Sequence, residues 1–228
     1  MQRMNIPCIS LLWIKIKLLK LFVLVYFLLH TSLLSFSQGI IFYLHGQIVE
    51  DQGLPAIDTV QGYGTYEYED ILNAFRQKKF TVISEVREKG TNPFDYARKL
   101  AQRVDSCIKK GVAPDQITVI GASKGAVIAM ICSSYLRNKD INFVFLAGCN
   151  KELLEGSGDM QLQGNILSIY EKTDDIGRSC AAFRKKFPQI IPHYKEIELR
   201  TGLKHGFLYH PLPEWIIPAI KWAANDYK

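Results

Sequence analysis

Short runs of β-branched and aromatic residues alternate along the chain with longer amphipathic segments, the pattern of a parallel sheet covered by helices on both faces. The first run is Ile40-Ile41-Phe42-Tyr43-Leu44. A helix near Glu67 to Lys78 and a strand from Phe80 to Ser84 follow. The next helix, Pro93 to Lys110, opens with Asn92 as N-cap and Pro93 at its first position, and Gly111 ends it. The third strand, Ile117-Thr118-Val119-Ile120, leads into a helix from Lys124 to about Leu136. Strands from Asn142 to Leu146, Ile166 to Tyr170 and Tyr194 to Leu199 come next, and Pro213 opens a closing helix through Trp222. Two stretches break the rhythm. Gly46 to Tyr66 shows no clear periodicity and reads as a long loop, a kind that is usually functional; Gly148 to Gly164 is a shorter excursion.

With 228 residues, 48% of them hydrophobic and 22% charged, the chain has room for one medium domain with a sizeable core. The net charge of +6 does not indicate a nucleic-acid partner, because Arg3, Lys15, Lys17 and Lys20 lie in a first 37 residues that hold no acid. The remainder carries 24 basic and 22 acidic residues, without the basic stripe that a phosphate backbone would require. Residues 1–37 read as a signal peptide: basic positions up to Lys20, an apolar run from Leu21, and Ser35 and Ser37 placed for cleavage. The alternative is a membrane anchor formed by residues 11–36, although the apolar stretch from Leu21 to Phe36 is short for a span. The expected location is therefore secreted or periplasmic, with membrane contact only transient, through the leader. Residues 38–228 form the expected single domain. Cys107, Cys132, Cys149 and Cys180 permit disulfides in an oxidising compartment or serve as buried thiols, and none has metal-ligand spacing.

Gly121-Ala122-Ser123-Lys124-Gly125 stands where the third strand turns into a helix. A tight strand-to-helix turn holds its central residue in a strained conformation, and glycines on either side let neighbouring segments approach. Such a turn lifts the Ser123 hydroxyl above the sheet edge. A serine hydroxyl becomes a nucleophile only with a base to take its proton and donors to hold the oxyanion. His205, in a Gly-flanked loop after the sixth strand, is the candidate base. Asp174, after the fifth strand, is the candidate partner of that imidazole, with Asp175 and then Glu171 as alternatives. The backbone N–H groups of Gln47 and Lys124 are the candidate oxyanion hole, the Lys124 side chain pointing elsewhere. His45 reads as a structural histidine bracing its loop. Gly62-Tyr63-Gly64 lacks the third glycine of a dinucleotide loop, no phosphate-loop or His-Glu-x-x-His motif occurs, and Arg184-Lys185-Lys186 reads as a solvated helix end.

The serine elbow, the His45-Gly46 turn after the first strand and the chain order Ser123, Asp174, His205 resemble the α/β-hydrolase superfamily over residues 39 to 225, most closely its small esterase and dienelactone-hydrolase-like branch. The resemblance implies a parallel sheet with the serine turn near its centre, acyl-enzyme chemistry and no cofactor. Two departures shape the expectation. The antiparallel strands that usually precede the first parallel strand are missing, leaving six strands ordered 2-1-3-4-5-6. The segment after the fourth strand is too short for a large cap, so substrate selection falls to the loop from Gly46 to Tyr66, where Tyr63 and Tyr66 either wall the substrate or pack as ordinary core residues. The expected function is a serine hydrolase acting on a small-molecule carboxylic ester. A non-catalytic envelope binding or accessory protein, or a peptidase or thioesterase on the same fold, is the alternative.

Overall fold

The apolar residues of the first strand, β1 (Ile40–Leu44), face two cores in turn: Ile41 and Tyr43 belong to one, Phe42 and Leu44 to the other. That two-sided burial is what a continuous hydrophobic run in a parallel sheet accomplishes. The computed structural model describes residues 18–20, 38–150, 160–186 and 188–228, so the leader or anchor expected over residues 1–37 lies, but for 18–20, outside the described residues.

Beyond β1 the strands are β2 (Ile57–Asp58), β3 (Gly64–Thr65), β4 (Thr81–Ile83), β5 (Ile117–Ala122), β6 (Asn142–Leu146), β7 (Asn165–Glu171) and β8 (Tyr194–Leu199). The main sheet is ordered β4-β1-β5-β6-β7-β8 with every pairing parallel, which is the expected 2-1-3-4-5-6 arrangement of six strands. Its helices are α1 (Gln47–Gln52), α2 (Tyr68–Arg76), α3 (Pro93–Lys109), α4 (Lys124–Leu136), α5 (Ala181–Lys186) and α6 (Pro213–Ala223). Ile71 and Phe75 of α2 and Trp215 and Trp222 of α6 cover one face, while Leu100 of α3, Ile128 of α4 and Phe183 of α5 cover the other. Asn92 caps α3 through hydrogen bonds accepted from the N–H groups of Phe94 (2.9 Å) and Asp95 (3.2 Å).

The stretch from Gly46 to Tyr66 departs from the expected loop. It folds as α1 and a small antiparallel hairpin in which Ile57 pairs with Thr65 and Asp58 with Gly64. Six helical residues span fewer than two turns and two-residue strands cannot alternate, so neither leaves a periodic signal. A disulfide joins Cys149, after β6, to Cys180, after β7, and Cys107 and Cys132 remain free.

Candidate active site

The carboxyl edge of the sheet gathers the loops that follow β1, β5, β7 and β8. At the end of β5 the chain reverses into α4, and Ser123 takes φ 52° and ψ −118°, a left-handed conformation costly for a residue with a side chain. The surrounding glycines make that turn possible. A Cβ at Gly125 would fall 2.1 Å from the Leu44 carbonyl oxygen, and one at Gly121 would fall 2.3 Å from the Gly125 carbonyl oxygen. In both cases the obstacle is backbone, so no side chain can move aside. The Ser123 N–H donates to the Leu146 carbonyl at 2.9 Å and ties the turn to β6.

Ser123, His205 and Asp174 come together at this edge. His205 Nδ1 lies 2.7 Å from Asp174 Oδ2 and His205 Nε2 lies 2.9 Å from Ser123 Oγ. A carboxylate only accepts, so Nδ1 carries the proton, and Nε2 is left to accept from the serine hydroxyl. Asp174 is fully buried, and burial alone would raise its pKa. Hydrogen bonds from His205, Ile176 N–H and Gly177 N–H outweigh that effect and lower it, so the group stays a carboxylate. Asp175 is exposed and does not take this place. Glu171 is also buried, but it serves as a clasp: its carboxylate accepts from the N–H and hydroxyl groups of both Thr173 and Thr201. It thereby joins the start of the Asp174 loop to the start of the His205 loop.

Gln47 and Lys124 are the first residues of α1 and α4, so their N–H groups have no acceptor within their own helices. Gly46, just before Gln47, lies close enough that a Cβ there would be 3.7 Å from the Ser123 Cβ. Two cavities flank the serine. One, of 310 Å³, is bounded by Gln47, Ile48, Tyr63, Tyr66, Leu208 and Tyr209 and reaches Ser123 and His205. The other, of 280 Å³, runs from Gln47, Ser123 and Lys124 to Pro93, Val127 and Gly148. Tyr63 and Tyr66 line a cavity and also pack as core residues do. Each packs its ring against Tyr209, with centroids 5.4 Å and 5.2 Å away, while lining the first cavity.

Beneath the serine turn lies a charged network that reading the sequence missed. Glu50 of α1 accepts from Lys124 Nζ at 2.5 Å and from Arg87 Nε at 3.1 Å, and the Glu50 and Arg87 side chains are wholly buried. These partners lie 74 and 37 positions from Glu50, too far for any local spacing to pair them. Burial works to raise the Glu50 pKa, but the hydrogen bonds and positive charges of Lys124 and Arg87 lower it overall. The Lys124 side chain does point away from the serine, into this network.

His45 is a bracing residue, buried and hydrogen-bonded at both nitrogens: Nδ1 donates to the Gly46 carbonyl at 2.8 Å, and Nε2 accepts the Arg87 N–H at 3.0 Å. Burial first, and then the adjacent Arg87 cation, push its pKa down to about 4. The unfolded chain takes up a proton here below its ordinary value near 6.5, which the folded chain refuses until about pH 4. Stability is therefore full above that ordinary value and declines as pH falls through the window, by about 3 kcal/mol from this one residue. Urea unfolding across the window checks this, with a smaller decline expected in His45→Gln.

No protein-family model matches the sequence, and comparison with curated proteins returns no match. Solved structures do resemble the fold. A monoacylglycerol lipase from Paleococcus ferrophilus superposes with a TM-score of 0.60 at 10% identity, over 83% of this chain and 95% of that one. The Francisella virulence factor BioJ gives 0.57 at 14% identity, over 84% and 78%. An arylesterase gives 0.54 at 14% identity, over 85% and 78%. At these identities the likeness is one of architecture.

Proposed function

We propose, from the premise that this chain has the α/β-hydrolase fold, that it is a serine hydrolase cleaving carboxylic esters through an acyl-enzyme. The observation that carries the reading is the continuous hydrogen-bonded line from Asp174 through His205 to Ser123 Oγ, with links of 2.7 Å and 2.9 Å, ending beside a cavity large enough for a small ester. A monoacylglycerol lipase and an arylesterase among the similar structures lend support at the level of the fold.

In this mechanism Ser123 Oγ attacks the ester carbonyl as His205 Nε2 takes its proton. The N–H groups of Gln47 and Lys124 donate to the oxyanion, and Asp174 stabilises the imidazolium while fixing its orientation. Collapse of the tetrahedral species breaks the bond to the alcohol, which leaves with the proton from His205. Water, activated by the same imidazole, then releases the acid and restores the serine. No step in this sequence calls for a cofactor.

The oxidised Cys149–Cys180 pair supports export, since such bonds persist in oxidising compartments. A panel of p-nitrophenyl esters set against matched anilides tests the reaction class: hydrolysis of the esters with little action on the anilides is expected, and the reverse order would favour a peptidase.

A further inference from the structure

Among the described residues from 38 onward, nine large hydrophobic side chains stand exposed, and seven of them lie in segments that leave the carboxyl ends of the strands. Leu54, Ile57 and the 88%-exposed Val60 follow β1, Val86 and Phe94 follow β4, Ile176 follows β7 and Leu203 follows β8. Parallel strands send all these segments to one edge of the sheet, the edge that holds Ser123 and His205. Exposed apolar side chains scattered singly over a surface are ordinary, whereas a concentration on one edge marks an interaction site.

The apolar rim is continuous with the cavities beside the serine. Ile176 lines both of them, Phe94 directly follows Pro93 of the second, and Ile57 and Val60 flank Asp58, which lines the first. The charges in the same segments have no dominant sign: the exposed bases Lys89, Lys172, Arg178, Arg200 and Lys204 are interleaved with the exposed acids Asp51, Glu88 and Asp175 and the half-buried acids Asp58 and Glu85. An anionic surface would find no basic belt here, and a cationic one no acidic belt. What matches an apolar rim of balanced charge around the mouth of a hydrolytic site is an uncharged lipid–water interface.

The geometry points to docking of this edge on a neutral lipid surface, which presents its acyl esters to Ser123 at the mouth of the cavity. This rests on the hydrolase reading for the chemistry but not for the docking, so the two can be tested apart. The probes are p-nitrophenyl butyrate as a dissolved ester, p-nitrophenyl palmitate in neutral detergent micelles, and sucrose-loaded phosphatidylcholine vesicles. The variant is Val60→Ser with Phe94→Ser, two exposed positions outside the cavity linings.

Wild-type protein is expected to sediment with the vesicles. The double variant is expected to lose that association by about tenfold or more and to lose micellar palmitate hydrolysis in step, with butyrate turnover held within about twofold. Adding phosphatidylglycerol to the vesicles is expected to leave binding unchanged. Wild-type protein that stays in the supernatant, a variant that loses butyrate and palmitate activity equally, or binding that requires phosphatidylglycerol would each overturn the proposal. Vesicle binding that depends on Val60 and Phe94 without hydrolysis of any ester would uphold the docking and overturn the hydrolase reading.

Discussion

Replacing Ser123 by alanine is expected to lower ester turnover on the order of 10⁶-fold while leaving the domain folded, because in the proposed mechanism nucleophile, base and orienting acid act as one unit. His205 and Asp174 would still be joined at 2.7 Å, and Gln47 and Lys124 would still begin their helices beside the site, but no attacking oxygen would remain. Alanine carries the same Cβ as serine, so the left-handed φ of 52° should cost the variant no more than it costs the native chain. Steady-state kinetics on a dissolved p-nitrophenyl ester, paired with the urea midpoint of each protein, separates loss of chemistry from loss of structure.

The second large effect is expected at Glu50. Truncation to alanine would strand the Arg87 guanidinium, whose side chain is wholly buried, and would free the Lys124 ammonium, which is 18% exposed. Removing one partner of a buried ion pair typically costs about 3–5 kcal/mol. Glu50 also joins α1, whose first N–H belongs to Gln47, to Lys124, the first residue of α4. The same substitution should therefore lower kcat more than it raises KM, since it displaces the groups that the proposed mechanism assigns to the oxyanion.

The pH dependence of this contribution follows from the lowered Glu50 pKa. A carboxylate stabilised in the fold contributes fully above its unfolded value of about 4.5, and that contribution fades as pH falls through the folded value. The acid limb of the stability profile should accordingly be shallower in Glu50→Ala than in wild type. A variant as stable and as active as wild type would remove the network from the account.

The architecture was legible because its signals are local. Fully buried parallel strands are continuous apolar runs, and Asn92-Pro93 marks a helix start by elementary hydrogen-bond accounting. The meeting of Ser123, Asp174 and His205 was legible for a topological reason: each follows the carboxyl end of a strand, and parallel strands bring those ends to one edge. Asp174 is preferred to Asp175 in the sequence, and the physical ground appears in three dimensions, where one side chain is buried against His205 and the other stands in solvent.

What stayed hidden depends on long-range contact or on elements too short to repeat. Cys149 and Cys180 are 31 positions apart, and nothing in their spacing prefers that pairing to the others. Glu50 lies in a six-residue helix without periodicity, and its cationic partners come from beyond β4 and β5. Those features hold the site in place without announcing themselves in the chain.

The most direct test of the central claim is reaction of the folded protein with a fluorophosphonate, followed by peptide mapping of the adduct. A single phosphonyl group on Ser123, formed in wild type and absent from both Ser123→Ala and His205→Ala, is the expected result. An unlabelled wild-type protein, or a label that persists on another residue when Ser123 is replaced, would contradict it.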